Sequence, residues 1–182
     1  MEHNKKIFTI PNLLTTLRIL MIPVFVYYYM QDDHIMCAGW ILASGLTDFL
    51  DGYIARHYHQ ISELGKALDP FADKLTQFAI IAMLSYKVPY MVYLFILFLV
   101  KEASMLGCWI ALKKKGGYIN GALWFGKVST AVFYICMFAL IAFPIAGSIW
   151  GNLLMIATAF FLGLSFILYI RTYRSLFRGL SS

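Results

Sequence analysis

Apolar residues run almost unbroken through this chain in six stretches of about twenty, with short polar segments between them. The runs cover residues 10–30, 35–56, 67–86, 88–112, 121–144 and 149–170. A helix needs about 20 mostly apolar residues to cross the hydrocarbon core of a bilayer. The runs are continuous rather than alternating, which predicts helices and argues against the strands of a membrane barrel. The expected fold class is all-α: a polytopic six-transmembrane-helix bundle forming one membrane domain over residues 1–182. No internal repeat is evident, and no linker is long enough to separate two domains.

Composition agrees. Of 182 residues, 61% are hydrophobic and 13% charged, against about 45–50% and about 25% in soluble domains. Too few polar residues remain to cover a water-facing surface. Disordered, collagen-like, coiled-coil and disulfide-rich secreted chains are excluded on the same ground. Cys37, Cys108 and Cys136 all lie in apolar runs and form no CxxC or Cys/His spacing, so buried thiols are expected rather than disulfides or zinc ligands. No cleavable leader is expected from the Met-Glu-His-Asn-Lys-Lys start.

The net charge of +6 takes its meaning from where the cations lie. With six alternating spans, Lys5, Lys6, Arg56, Lys66, Lys113, Lys114, Lys115, Arg171, Arg174 and Arg178 all fall on one side. The other side keeps Asp32, Asp33 and Lys87. Basic loops stay in the cytoplasm, so both termini are expected there. The expected location is the bacterial plasma membrane, with surrounding lipids and not nucleic acid as the partner of the positive charge. Tyr27–Tyr29 and Trp150 stand near the outer ends of spans, where interfacial aromatics belong.

Four carboxylates break the apolar pattern. Asp48 and Asp51 end the second run, and Asp69 and Asp73 begin the third. Spacings of i,i+3 and i,i+4 put each pair on one helix face, and a loop of about ten residues lets the two faces meet. Their mutual repulsion requires compensation. Either Arg56, Lys66 and Lys74 supply it as helix-end ion pairs, or divalent metal does. Oxygen donors without His or Cys favour two ions of Mg²⁺ or Mn²⁺ over zinc. Gly52 and Ala55 keep the Asp48–Asp51 face free of bulk, Arg56 adds a planar phosphate donor, and Gly65 opens the turn into the third span. These features suit a nucleoside diphosphate headgroup on a lipid.

Asp48, Asp51, Gly52, Ala55, Arg56, Gly65, Asp69 and Asp73, eight positions over 26, together resemble the signature of the CDP-alcohol phosphatidyltransferases. The segment from Ile10 to Arg18 is similar to the start of the phosphatidylglycerophosphate synthases and of the mitochondrial-type cardiolipin synthases. The resemblance implies a six-helix membrane bundle, usually a homodimer. It also implies transfer of phosphatidyl from CDP-diacylglycerol to an alcohol, with release of CMP and two divalent metals. Carried over, Asp48, Asp51 and Asp69 are metal ligands, and Asp73 is both ligand and general base. Gly52, Ala55, Arg56 and Gly65 line the CDP site, with Asn12 and Arg18 as possible support from the first span.

For the acceptor, Gly126-Lys127-Val128-Ser129-Thr130 resembles the Gly-Lys-x-Lys-Thr segment of the phosphatidylglycerophosphate synthases, and Lys101-Glu102 stands where they have Arg-Glu. Lys127, Lys101 and Thr130 are therefore the candidate acceptor residues. Ser129 and Trp109 replace two basic groups of that pattern. Glycerol-3-phosphate is placed first as the acceptor, and phosphatidylglycerol second. A divalent-cation transporter is the alternative of another class. It leaves Gly52, Ala55 and Arg56 unexplained, and it sets the acids towards one face rather than at the midplane expected of a transport site.

Overall fold

Thr9 opens the first helix: its hydroxyl accepts from the backbone N–H of Asn12 at 3.4 Å, and a proline sits in the first turn where no N–H is needed. In this computed structural model six helices follow in order: α1 (Ile10–Met30), α2 (His34–His57), α3 (Glu63–Lys87), α4 (Met91–Lys114), α5 (Trp124–Ala142) and α6 (Ile149–Gly179). The structure describes residues 9–57, 63–116, 123–143 and 145–179. For residues 52, 55, 56, 63, 64, 66 and 67 it describes the backbone alone. There is no strand among the described residues.

Each expected run is a helix, with ends shifted by a few residues, except that α6 continues nine residues past residue 170 and carries Arg171, Arg174 and Arg178 on helix. Among the described residues four helices, α1, α4, α5 and α6, are by themselves long and apolar enough to cross a membrane. The other two, α2 and α3, hold the aspartates, and these charges lower their apolar content.

The chain divides into two compact units, residues 1–83 with 141–143, and residues 84–140 with 144–182. In the first unit α1 packs along α2. Their connection is fixed by Asp32 in a left-handed conformation (φ 62°) and by Asp33, whose carboxylate accepts from the N–H of Met36 at 3.0 Å. Phe25, Tyr29, Cys37 and Ile41 are buried there. Polarity is inverted along α1: Asn12, Thr15 and Arg18 are buried while Leu13 is 69% exposed. Apolar groups outward and polar groups inward is the arrangement a lipid solvent favours.

In the second unit α4 packs along α6. Leu112, Tyr169 and Tyr173 form a core closed by Met105, Cys108, Leu123, Phe125, Leu176 and Phe177. Across both units the three cysteines are free thiols; Cys37 and Cys136 are buried as expected, whereas Cys108 is only half-buried. Gly126 lies against Tyr169 so closely that a Cβ there would collide with the Tyr169 hydroxyl and stand 3.0 Å from Cε2. Tyr169 cannot swing aside easily, because its ring is buried edge-on to Phe125 at 4.7 Å. Gly126→Ala is therefore expected to cost about 1–3 kcal/mol, measured as a lower Tm in detergent.

Candidate active site

Two helix ends and the middle of a third build the site, all within the first unit. The last turns of α2 present Asp48 and Asp51, and the early turns of α3 present Asp69 and Asp73. At their centre lies a group from α1: Arg18, 1% exposed. Its Nη2 is 2.6 Å from Asp48 Oδ1 and 2.5 Å from Asp51 Oδ2. Its Nη1 is 3.3 Å from Asp69 Oδ1 and 3.8 Å from Asp73 Oδ1. The contacts with Asp51 and Asp69 are hydrogen-bonded ion pairs, that with Asp48 is a close ion pair, and that with Asp73 is beyond hydrogen-bond distance. Asp51 is buried, whereas the side chains of Asp48, Asp69 and Asp73 are 39–51% exposed. Thr15 Oγ1 stands 3.2 Å from Asp51 Oδ2 and 3.0 Å from the Pro11 carbonyl, and its single proton serves one of them at a time.

The convergence expected from the i,i+3 and i,i+4 spacings is therefore present. One compensating cation, Arg18, is additional to those anticipated. Lys74 Nζ contacts Gln77 Oε1 at 3.4 Å, and the side chains of Arg56 and Lys66 lie outside the described residues. Arg18, set beside the CDP site from sequence, clasps the carboxylates. Thr15 was not anticipated at all. The signal for both was the polar series Asn12, Thr15, Arg18, three residues apart on one face of an otherwise apolar helix.

The carboxylates also fit a metal. Asp48, Asp51 and Asp69 each offer one oxygen, and the three lie within 4.8 Å of one another. An all-oxygen set of this kind suits a hard divalent cation. Asp73 stands outside that group of three.

Of the remaining candidates, Gly52, Ala55 and Arg56 lie on the last turns of α2, and their side-chain surroundings fall outside the described residues. Gly65 lies in the first turn of α3, part buried, and not in a loop before it. Asn12 is buried on α1. Lys101, Lys127 and Thr130 belong to the second unit. Lys101 is buried on α4 with Nζ 2.9 Å from Glu102 Oε1. On α5, Lys127 is exposed and Thr130 half buried. Trp109 carries Lys113 Nζ over its ring at 5.1 Å.

Residues 8–166 match the family model described as CDP-alcohol phosphatidyltransferase. Among similar proteins are the cardiolipin synthase (CMP-forming) of Rattus norvegicus, 32% identical over 84% of this chain and 57% of its own length, and that of Streptomyces coelicolor, 32% identical over 62% and 55%. The CDP-diacylglycerol–glycerol-3-phosphate 3-phosphatidyltransferase of Aquifex aeolicus is 38% identical over 42% of each. The chain thus spans about half the length of the curated relatives it matches. With the family pattern intact from Asp48 to Asp73 and a family match covering most of its length, this chain belongs to the CDP-alcohol phosphatidyltransferases.

Proposed function

We propose that the protein transfers phosphatidyl from CDP-diacylglycerol to a glycerol-type alcohol, a step of phospholipid biosynthesis. The acceptor oxygen bonds to the phosphorus that carries diacylglycerol, the bond from that phosphorus to the CMP oxygen breaks, and CMP leaves. The observation that carries this reading is the meeting of Asp48, Asp51, Asp69 and Asp73 around one point. In this role the four aspartates hold two ions of Mg²⁺ or Mn²⁺, which neutralise the diphosphate when bound. Asp73 takes the proton of the acceptor hydroxyl. Arg56 binds phosphate oxygens, and Gly52, Ala55 and Gly65 leave room for the headgroup. Purified protein mixed with CDP-diacylglycerol and a panel of alcohols tests the proposal. CMP release that depends on the alcohol supports it, and none with any alcohol overturns it.

Glycerol-3-phosphate is the first acceptor to test. Phosphatidylglycerol is favoured as a second reading by two observations. The rat cardiolipin synthase match covers 84% of this chain, against 42% for the Aquifex aeolicus protein. The Lys101 charge is also offset by Glu102 at 2.9 Å, which leaves less positive charge for a phosphomonoester dianion. Lys127→Ala is expected to raise the acceptor KM more than the KM for CDP-diacylglycerol, with a larger and more salt-sensitive effect if the acceptor is the monoester. Equal changes for both substrates remove Lys127 from the acceptor site.

All six helices are read as spans of one domain, with both termini and the acids on the cytoplasmic side of a bacterial plasma membrane. The one-sided distribution of Lys and Arg supports this. A homodimer is the expected assembly, by analogy with the family.

A further inference from the structure

We infer that Arg18 is a resident counter-cation of the acidic cluster and competes with divalent ions for the same carboxylate oxygens; this rests on the metal-binding part of the function proposed above. Asp48 Oδ1, Asp51 Oδ2 and Asp69 Oδ1 are the atoms the guanidinium engages, at 2.6, 2.5 and 3.3 Å. The same three carboxylates form the group able to share one ion. A carboxylate oxygen that donates its lone pairs to a guanidinium at these distances is a poorer ligand for a metal, and a fixed positive charge beside the site repels a second one. The guanidinium is held by the tip of its fork only. Its Nε is buried and has no hydrogen-bond partner among the described residues, so no third bond resists a shift along the cluster. Arg18 brings one positive charge to the three carboxylates of that group, Asp48, Asp51 and Asp69.

Arg18 is thus a positioning residue. It makes three helices compatible before metal arrives, and it sets how tightly metal binds once it does. A residue that only packed α1 against α2 and α3 would support the fold equally with or without metal.

The test uses the whole chain in detergent, with MnCl₂ as the probe and Tm as the readout, in chelator and at one fixed Mn²⁺ concentration. Arg18→Met is expected to lower Tm in chelator by about 6–12 °C, the consequence of uncovering buried charge. Its Tm gain on adding Mn²⁺ should exceed that of the wild type by about 3–6 °C, the signature of an approximately tenfold lower Kd. A gain equal to or smaller than that of the wild type overturns the inference. If Arg18→Met yields no folded protein in either condition, Arg18→Lys decides. It keeps the charge but cannot fork across the acids, so a Mn²⁺ gain above the wild type supports competition and an unchanged or smaller gain refutes it. A wild type that gains nothing from Mn²⁺ also overturns the inference, and CMP release by the same preparation then tells whether the phosphatidyltransferase reading falls with it.

Discussion

Asp73→Asn is expected to slow CMP release by about 10²–10⁴-fold, the usual contribution of a general base, while binding of CDP-diacylglycerol changes little. Among the four aspartates, Asp73 is set apart from the group the guanidinium holds. It lies outside the three-carboxylate group formed by Asp48, Asp51 and Asp69. It is also 3.8 Å from the Arg18 fork, where the others are at 2.5–3.3 Å, and its side chain is 39% exposed. A part-exposed carboxylate so placed can be reached by an acceptor hydroxyl. Asparagine keeps its shape and one acceptor oxygen but cannot take that proton. Single-turnover CMP release alongside a lipid-binding titration separates the two effects. A variant within a few-fold of the wild type places the base elsewhere.

Stripping divalent ions is expected to be equally severe, a loss of at least about 10²–10³-fold, judged by what removing a single preorganised electrostatic contact costs an enzyme. Four clustered aspartates repel a diphosphate, and divalent ions held between them reverse that repulsion. Full activity should return on adding Mg²⁺ or Mn²⁺ to chelator-treated protein. Turnover that continues in excess chelator after bound metal is removed defeats the two-metal reading.

Much of this was legible in the residues themselves. Runs of about twenty apolar residues gave the six helices, because a span must satisfy its backbone internally and helix is the economical way to do so. Asp48, Asp51, Asp69 and Asp73 stood out because charge inside an apolar run is costly. Their spacing on two antiparallel elements already implied that they meet. The partner of the cluster was harder to see, since Arg18 lies 30 residues before Asp48 and nothing local joins them. Local spacing pointed instead to Arg56, Lys66 and Lys74. The extension of α6 was missed because its last turns are polar: hydropathy marks where a helix enters water, not where its hydrogen bonds stop.

The Arg18 clasp also bears on how the chain enters a membrane during synthesis. With α1 and α2 read as spans, each alone would carry its charge, Arg18 on α1 and Asp48 and Asp51 on α2, into an apolar setting at a cost. Together, Arg18 offsets part of the charge of Asp48 and Asp51, at 2.6 and 2.5 Å. If α1 and α2 both span, as proposed, insertion is cheaper when they leave the translocon as a hairpin, with the ion pairs closed before either helix meets lipid alone. The contact that assembles the acidic cluster then also dictates which two segments travel together in biogenesis.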